Sequence, residues 1–573
     1  MKKYASLLAC IITCFVLVQN RYAHIPEGGK DQLKLTDWDA FGYYMYLPSI
    51  LIYNDYKELN WVQEIDNNYH VVGGELYQAR KAKNGNFVYK YFGGVALLQL
   101  PFFAIAHWLA RSMDYPQDGF SPPYQYAVAF ATLFYAFLGI FVLRRVLKKY
   151  FDDVTTAITI LLLCLATNFI QYAAVDSGMS HVYIFPLYAL VLYTTLKWHE
   201  RPRMVWAFAT GYIIGLATIC RPTEAVMLFI PLLWNTWSKE AAKEKWQTVK
   251  QHRPHIVAAV VAGILGILPQ ILYWKSATGQ LIYDVGSAWD FLTPHLRVLI
   301  GWEKGWFIYT PVTIFFIVGL FFIKKYPFRK SVLWFCILNI YIIIAWRDWH
   351  YGGSYSTRAL VQSYPVFALA LGAFVQHVQQ QKWRWLFYAA GVYLVIVNMF
   401  QLEQYAKTII HFRDMNRLYY SAVYLDADPT PLDMSLLDND EVLLNENGYT
   451  KTQLAAIAEE KDIVIGEGEK SILYTGSPQT AGDAWIKVKG AVNVHDGFWE
   501  GHLNIELQKG DSVRRTRCRM ANPISKNQQW NNYELHAHIP DYFKGGTITV
   551  YLNRDIATLS GIVRDIEITL LEK

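Results

Sequence analysis

Long apolar runs dominate the first 403 residues and restrict what this chain can fold into. About 20 apolar residues in helical form cross the hydrocarbon core of a bilayer, and a helix satisfies its own backbone polar groups there. Eleven runs of this kind lie near 4–19, 125–143, 154–172, 181–197, 204–220, 224–238, 256–274, 306–323, 331–346, 359–377 and 384–402. A twelfth covers 92–110. The sequence therefore predicts a polytopic α-helical membrane protein with about eleven transmembrane helices.

Basic residues predict how these runs are oriented, because Lys and Arg concentrate in cytoplasmic loops. If 92–110 is an interfacial or re-entrant helix, most basic loops fall on one side. Their residues are Lys2, Lys3, Arg144, Arg145, Lys148, Lys149, Lys197, Arg201, Arg203, those of 239–253, Lys324, Lys325, Arg329, Lys330, Lys382 and Arg384. We expect a multi-pass protein of a bacterial-type inner membrane, with a cytoplasmic N-terminus and with 20–124 and 404–573 outside. The net charge of +6 is then a sign of topology, and no nucleic-acid partner is expected.

The last third of the chain is more polar and predicts a second domain. Residues 404–466 include an acidic, proline-containing stretch and are interpreted as a periplasmic connector after the 1–403 transmembrane domain. From 467 to 573, apolar and polar residues alternate between glycine and asparagine turns, as in strands with one buried face. The clearest strands are 484–489, 502–507, 533–539, 547–552 and 561–571. This pattern predicts an all-β sandwich of the jelly-roll type.

Two carboxylates mark the point where the first apolar run gives way to the outer loop. Asp37 and Asp39 precede Tyr43 there. Ionisable side chains are costly beside hydrocarbon, so a pair at this boundary is a functional-site hypothesis. The alternative is that Asp37 or Asp39 caps a surface helix that starts near Phe41.

Further polar residues lie at the same predicted membrane face and could meet the two carboxylates in one cavity. Arg and Lys suit phosphate oxygens, whereas carboxylates and His supply acid–base groups. The candidates are Lys90, Arg221, Arg347 and Arg358 for a lipid phosphate, with Tyr43, Asp176, His181 and His350 as other cavity residues. Each also has an ordinary explanation, such as helix capping, snorkelling to headgroups or anchoring at the interface.

The order of these features resembles the GT-C superfamily of integral-membrane glycosyltransferases, which includes protein O-mannosyltransferases and aminoarabinose transferases. Asp39-Ala40-Phe41-Gly42-Tyr43 is similar to the superfamily's Asp-Glu-x-x-Tyr motif, with Ala40 in place of the second acid. Lys90-Tyr91-Phe92-Gly93-Gly94 is similar to its Lys-Pro-Pro start of a juxtamembrane helix, without the prolines. The resemblance covers 1–403. The C-terminal domain resembles jelly-roll carbohydrate-binding modules more loosely.

The resemblance implies inverting transfer of a sugar from a polyprenyl-phosphate-linked donor to a lipid, glycan or protein acceptor. Asp39 would be the general base, and Asp37 would orient the acceptor or assist. The four cations would stabilise the lipid-phosphate leaving group. The departure at Ala40 weakens the assignment of a divalent metal, and no metal ligands or cofactor are assigned.

Three other functions use similar features. A transporter or flippase of lipid-linked sugars would place ionisable residues near the bilayer midplane, often on paired broken helices. Here the charges lie at the predicted outer ends of the runs, which favours an enzyme. A surface-polysaccharide polymerase or ligase would also bind lipid phosphate. A sugar-binding receptor would not need eleven spans for anchoring.

Overall fold

The computed structural model describes residues 4–25 and 33–573, so Lys2 and Lys3 lie outside the described residues. The chain divides into two compact units, Met1–Met399 and Phe400–Lys573. The first is helical and the second is built mainly from β-strands. The boundaries inferred from the sequence, 403/404 and 466/467, remain predictions.

The helical unit contains helices of very different lengths together with one short hairpin. Its helices are α1 (Ala5–Ala23), α2 (Trp38–Tyr44), α3 (Tyr46–Leu51), α4 (Val62–Tyr69), α5 (Gly94–Ser112), α6 (Pro122–Leu147), α7 (Asp153–Leu165), α8 (Ser180–Glu200), α9 (Met204–Cys220), α10 (Phe229–Leu233), α11 (Lys239–Gln251), α12 (Arg253–Thr278), α13 (Arg297–Ile300), α14 (Trp306–Tyr309), α15 (Ile314–Gly319), α16 (Arg329–Ile344), α17 (Tyr364–Gln379) and α18 (Arg384–Ala406). The hairpin pairs β1 (Ala79–Lys81) with β2 (Phe87–Tyr89).

Six described helices are long and apolar enough to cross a membrane, which agrees with a multi-pass membrane protein. They are α1, α5, α6, α12, the Arg358–Gln379 helix that contains α17, and α18. The count of eleven spans remains a prediction. So does the interfacial assignment of 92–110, because length and composition do not separate α5 from the other five.

Several of the predicted spans are not continuous α-helices, among them 306–323, 224–238 and also 154–172, where α7 ends at Leu165 before the π-helix Gln171–Val175. The 306–323 run is divided into α14, the 3₁₀ turn Pro311–Thr313 and α15. The 224–238 run consists of the end of the 3₁₀ segment Pro222–Leu228 followed by the short α10. Pro311 has no backbone N–H to continue a helical ladder, which gives a physical reason for the first interruption.

Helices α9 and α12 pack with their backbones in contact. A Cβ atom added at Gly211 would lie 1.9 Å from the Ala259 carbonyl oxygen, and one at Gly215 would lie 2.2 Å from that of Gly263. Gly211 and Gly215 form a small-x-x-x-small pattern, which allows such an approach between apolar helices. This packing fixes the end of α9, where Arg221 follows Cys220.

Two further features place the residues of the candidate site. A Cβ atom added at Gly94, the first residue of α5, would lie 2.5 Å from the Cys220 backbone nitrogen, so the 90–94 stretch runs beside the end of α9. The Arg358–Gln379 helix is 94% buried over its most apolar window, as expected for a helix that is apolar all round. Arg358 therefore opens the central helix of the unit.

The second unit is a β-sandwich with short helices α19 (Arg417–Ala422) and α20 (Pro431–Ser435) before it. Its strands are β3 (Thr450–Ile457), β4 (Lys461–Ile465), β5 (Lys470–Gly476), β6 (Ala484–Asp496), β7 (His502–Lys509), β8 (Ser512–Arg519), β9 (Trp530–Ile539), β10 (Thr547–Asn553) and β11 (Leu559–Glu572). All five strands predicted from alternation are confirmed. Strands β3 and β4 fall inside the range interpreted as connector, because β3 is largely exposed and polar and shows no alternation.

The strands form two antiparallel sheets. One has the order β5-β10-β7-β8, and the other has the order β3-β11-β6-β9 with β4 also paired to β11. Apolar side chains from both sheets, among them Ile505, Val550, Val488 and Leu535, share one buried core. The chain passes between the sheets at most connections, and this strand order is that of a jelly roll.

Candidate active site

Asp37 and Asp39 lie on either side of an unusual backbone turn. Trp38 between them has a φ of +48°, a left-handed conformation that costs a non-glycine residue roughly 1–2 kcal/mol. Asp37 is the extended residue before α2, and its side chain makes no capping hydrogen bond. Asp39 lies in the first turn of α2. The turn directs the two carboxylates into different surroundings.

Asp39 accepts hydrogen bonds from three side chains. Arg358 Nη2 lies 2.5 Å from Asp39 Oδ2, and the two side chains are only 12% and 21% exposed. The Tyr77 hydroxyl donates to Asp39 Oδ1 at 2.8 Å, and the Tyr91 hydroxyl donates to the same oxygen. Burial alone would raise the pKa of Asp39, but the Arg358 charge and these hydrogen bonds outweigh it and lower the pKa to about 2. Asp39 is therefore an ionised carboxylate with its oxygens already engaged.

The two tyrosine hydroxyls remain donors at neutral pH. Burial, followed by the negative charge of Asp39, raises the pKa of both Tyr77 and Tyr91 well above its ordinary value. Lys90 Nζ lies over both rings, 5.4 Å from the Tyr77 centroid and 5.6 Å from that of Tyr91. A second cation thus stands beside the tyrosines that hold Asp39.

Tyr43 links this group to the start of α8. Its ring centroid lies 4.7 Å from that of Tyr91, and its hydroxyl oxygen is 3.1 Å from Ser180 Oγ. His181 follows Ser180, and its Nδ1 lies 3.2 Å from Arg221 Nη1. A continuous series of contacts therefore joins Arg221 to Asp39.

A buried polar network lies behind His181. Nδ1 of His181 is 2.9 Å from Gln362 Oε1, and Gln362 Nε2 donates to Glu224 Oε1 at 3.1 Å. Glu224 is 1% exposed, and its other oxygen accepts the Tyr188 hydroxyl at 2.5 Å. The network holds both His181 and the α9 end that carries Arg221.

Asp37 and Asp176 are the less neutralised carboxylates of the site. Burial raises the pKa of Asp37 to about 6, and the like charge of Asp176 adds to this shift. Burial also raises the pKa of Asp176, against the opposing influence of Gln171, Arg358 and Arg21. Asp37 lines a cavity of about 40 Å³ together with Lys34, Thr36, Tyr69, Gln125 and neighbouring apolar residues.

The structure does not bring Arg347 and His350 into this cluster. Arg347 is paired with Asp290 through Nε and Nη2, at 3.1 and 3.0 Å, and its side chain is 67% exposed. The His350 ring lies against Trp349, and its carbonyl accepts from Lys304 at 2.9 Å. Gly352, with a φ of +64°, turns the chain between Arg347 and Arg358. Arg347 is paired with Asp290, whereas Arg358 is paired with Asp39.

Of the ten candidate residues, eight are joined by these contacts or charges: Asp37, Asp39, Tyr43, Lys90, Asp176, His181, Arg221 and Arg358. Tyr77, Ser180 and Gln362 were not singled out from the sequence. Tyr77 lies in a polar loop without a pattern, and Gln362 lies in an apolar run. No group of three or more His, Cys, Asp or Glu able to hold a metal ion is found in 4–25 and 33–573.

Comparison with known families identifies a match over part of the chain. Residues 124–274 match the model of the family described as dolichyl-phosphate-mannose-protein mannosyltransferase. The resemblance to protein O-mannosyltransferases is thereby confirmed over this part of the chain, which runs from α6 to α12 and includes Asp176, His181 and Arg221. None of the curated proteins matches the chain.

Solved structures show more distant likenesses. Apo ArnT from Cupriavidus metallidurans has 12% identity and a TM-score of 0.43, over 73% of this chain and 67% of that one. ArnT bound to undecaprenyl phosphate has 13% identity and a TM-score of 0.42, over 73% and 68%. The apo Archaeoglobus fulgidus oligosaccharyltransferase has 11% identity and a TM-score of 0.41, over 74% and 58%.

Proposed function

We propose that this protein is an inverting membrane glycosyltransferase. It transfers a sugar from a polyprenyl-phosphate-linked donor to a lipid, glycan or protein acceptor at the outer face of the inner membrane. The observation that carries the proposal is the Asp39–Arg358 pair, a partly buried carboxylate in contact with a guanidinium of the kind that suits phosphate. The match of residues 124–274 to a mannosyltransferase family model supports the reaction class.

Three cations near Asp39 suit an anionic leaving group. Arg358 contacts Asp39 directly, Lys90 lies over Tyr77 and Tyr91, and Arg221 follows through His181 and Tyr43. Donors fixed in a partly dehydrated site stabilise charge that develops in a transition state more strongly than water does. We assign these three cations to the donor phosphate. Arg347, paired with Asp290, is not included.

The donor would also activate the base. In the structure Asp39 is a weak base, because the Arg358 charge neutralises it and two tyrosine hydroxyls stabilise its ionised form. The donor phosphate competes with Asp39 for Arg358. When the guanidinium pairs with the phosphate, Asp39 loses its opposite charge. Burial then raises the pKa of Asp39 towards the range of a useful base. Asp39 then accepts the proton of the acceptor hydroxyl or amine. Asp37 helps to orient the acceptor.

The reaction itself is a single displacement. The acceptor oxygen or nitrogen bonds to the anomeric carbon while the bond from that carbon to the phosphate oxygen breaks. The bonding electron pair leaves with the lipid phosphate, whose charge is met by Arg358, Lys90 and Arg221. Attack opposite the leaving group inverts the anomeric carbon.

The two arginines at either end of the glycine-rich turn give a matched test. Membranes carrying wild type, Arg358→Gln or Arg347→Gln at equal protein level are supplied with a panel of radiolabelled polyprenyl-phosphate sugars. We expect transfer from one donor, a loss of about 10²–10³-fold in Arg358→Gln and near wild-type transfer in Arg347→Gln. Equal rates in all three would contradict the assignment of Arg358.

A further inference from the structure

The segment 281–300, which follows α12 and ends with α13, exposes large apolar side chains. Leu292 is 98% exposed, and five others are between 45% and 77% exposed. They are Leu281, Ile282, Phe291, Leu296 and Ile300. Apolar patches of this kind mark surfaces that bind a partner or a membrane.

This segment is fixed to the end of α16. Trp289 and Trp346 form an isolated antiparallel bridge, and the Arg347 backbone N–H donates to the Ala288 carbonyl at 3.1 Å. The Asp290 N–H donates in turn to the Ala345 carbonyl. The Arg347–Asp290 ion pair adds a side-chain link across the same two strands of chain. The position of the segment along the axis of α16 is therefore set by the end of that helix.

The exposed patch continues the outward face of α16. Trp334, Ile337 and Tyr341 are exposed and recur at helical spacing along one face of α16. The Tyr341 hydroxyl donates to the Phe291 carbonyl at 2.5 Å, and the two rings lie 5.7 Å apart. Phe291 and Leu292 thus extend an apolar stripe beyond the helix end without a break.

We propose that segment 281–300 is a membrane-docking surface that inserts Phe291 and Leu292 into the leaflet at this end of the helices. The occupant is lipid hydrocarbon at the boundary with the headgroups. Continuity with the exposed apolar face of α16, which forms the predicted span 331–346, carries this assignment, because a face that meets lipid along a spanning helix also meets lipid at its extension. Trp289 and Trp346 lie beside it, where aromatic rings favour the interface.

Nitroxide accessibility in proteoliposomes tests the proposal. A spin label is attached at Leu292→Cys and, as a matched control, at Lys83→Cys in the exposed turn between β1 and β2. Both variants are made in a background without reactive native cysteines. We expect the Leu292 label to be relaxed more by oxygen than by a water-soluble nickel chelate, and the Lys83 label to show the reverse.

Two results would overturn the proposal. Greater relaxation of the Leu292 label by the nickel chelate would place the segment in water. Low accessibility to both reagents would place it in a protein contact, such as a second copy of the chain. Tyr341→Phe removes the hydroxyl that holds Phe291, so it should shift the Leu292 label towards water, and an unchanged ratio would contradict the role of that tether.

Discussion

Arg358 and Asp39 are separated by 319 positions in the sequence, yet Arg358 Nη2 and Asp39 Oδ2 lie 2.5 Å apart. The pair joins the loop that follows α1 to the first residue of the central buried helix. It neutralises both charges in a site that would otherwise hold them at a large desolvation cost. In the proposed function, an anionic donor that binds Arg358 competes with Asp39 for the guanidinium, and this competition would link donor binding to the release of the base.

Arg358→Lys is expected to keep the charge but lose the planar, forked geometry that suits phosphate. We expect kcat/KM for the polyprenyl-phosphate donor to fall roughly 10–100-fold, with a higher KM. Initial rates at varied donor concentration in reconstituted vesicles measure the change. A variant with wild-type KM would show that the guanidinium does not contact the donor.

Gly42→Ala should disturb the base through Tyr91. A Cβ atom at Gly42 would lie 2.1 Å from Tyr91 Cδ2, so the ring must shift away from Asp39. The overpacking should cost about 1–3 kcal/mol of stability and lower transfer activity. Tyr91→Phe removes the hydroxyl donor while it keeps the ring, and provides the comparison.

If Tyr91 positions Asp39, both variants should lower kcat more than they raise the donor KM. Normal kcat in Tyr91→Phe, with a loss confined to Gly42→Ala, would mean that the ring matters only for packing.

Asp37→Asn should stabilise the protein at neutral pH. Burial raises the pKa of Asp37 from its ordinary 3.8 to about 6, so folding favours the protonated form. The stability that comes from protonated Asp37 is fully present below about pH 4 and is lost as pH rises through about 6. The asparagine variant avoids that loss and should be more stable at pH 7 by roughly 1–2 kcal/mol. Thermal unfolding in detergent should show a higher unfolding temperature for Asp37→Asn than for wild type at pH 7, and equal unfolding temperatures at pH 4.

Gly211→Ala should separate α9 from α12. The added methyl would meet the Ala259 carbonyl oxygen, which belongs to backbone and cannot rotate away. We expect a loss of about 1–3 kcal/mol or more, seen as a lower unfolding temperature. Gly391→Ala in α18 is the control, since its Cβ would meet only Leu162 Cδ2, at 3.1 Å. Equal stability of the two variants would contradict the close backbone packing.

The apolar runs and the alternating strands were predictable because burial imposes a period on the sequence. The interruption of 306–323 was less visible, since its residues are as apolar as those of a continuous helix. Strand β3 was not predicted because an exposed edge strand needs no alternation. Strand β4 does alternate, with Ile463 and Ile465 buried, but it has only five residues and gives a weak pattern.

The sequence predicted that the candidate residues share one membrane face, but it did not predict their contacts. The topology predicted from the basic loops places Asp39, Arg221 and Arg358 at one membrane face. Hydropathy does not distinguish which of the two arginines beside the glycine-rich turn points towards Asp39. Both Arg347 and Arg358 were candidates by sequence, and the chain between them turns at Tyr351, Gly352 and Ser356, which all have positive φ. The contact of Tyr77 with Asp39 was not predictable, because the sequence does not distinguish a tyrosine that donates to a buried carboxylate from any other tyrosine in a polar loop.

Sugar transfer by Asp39→Asn tests most directly whether Asp39 is the general base. Wild-type and variant membranes, matched for protein level, receive the radiolabelled polyprenyl-phosphate sugar that the wild type uses. We expect transfer to fall by about 10²–10⁴-fold, because the amide cannot accept the acceptor's proton. Transfer by Asp39→Asn at the wild-type rate would contradict the assignment of Asp39 as the base.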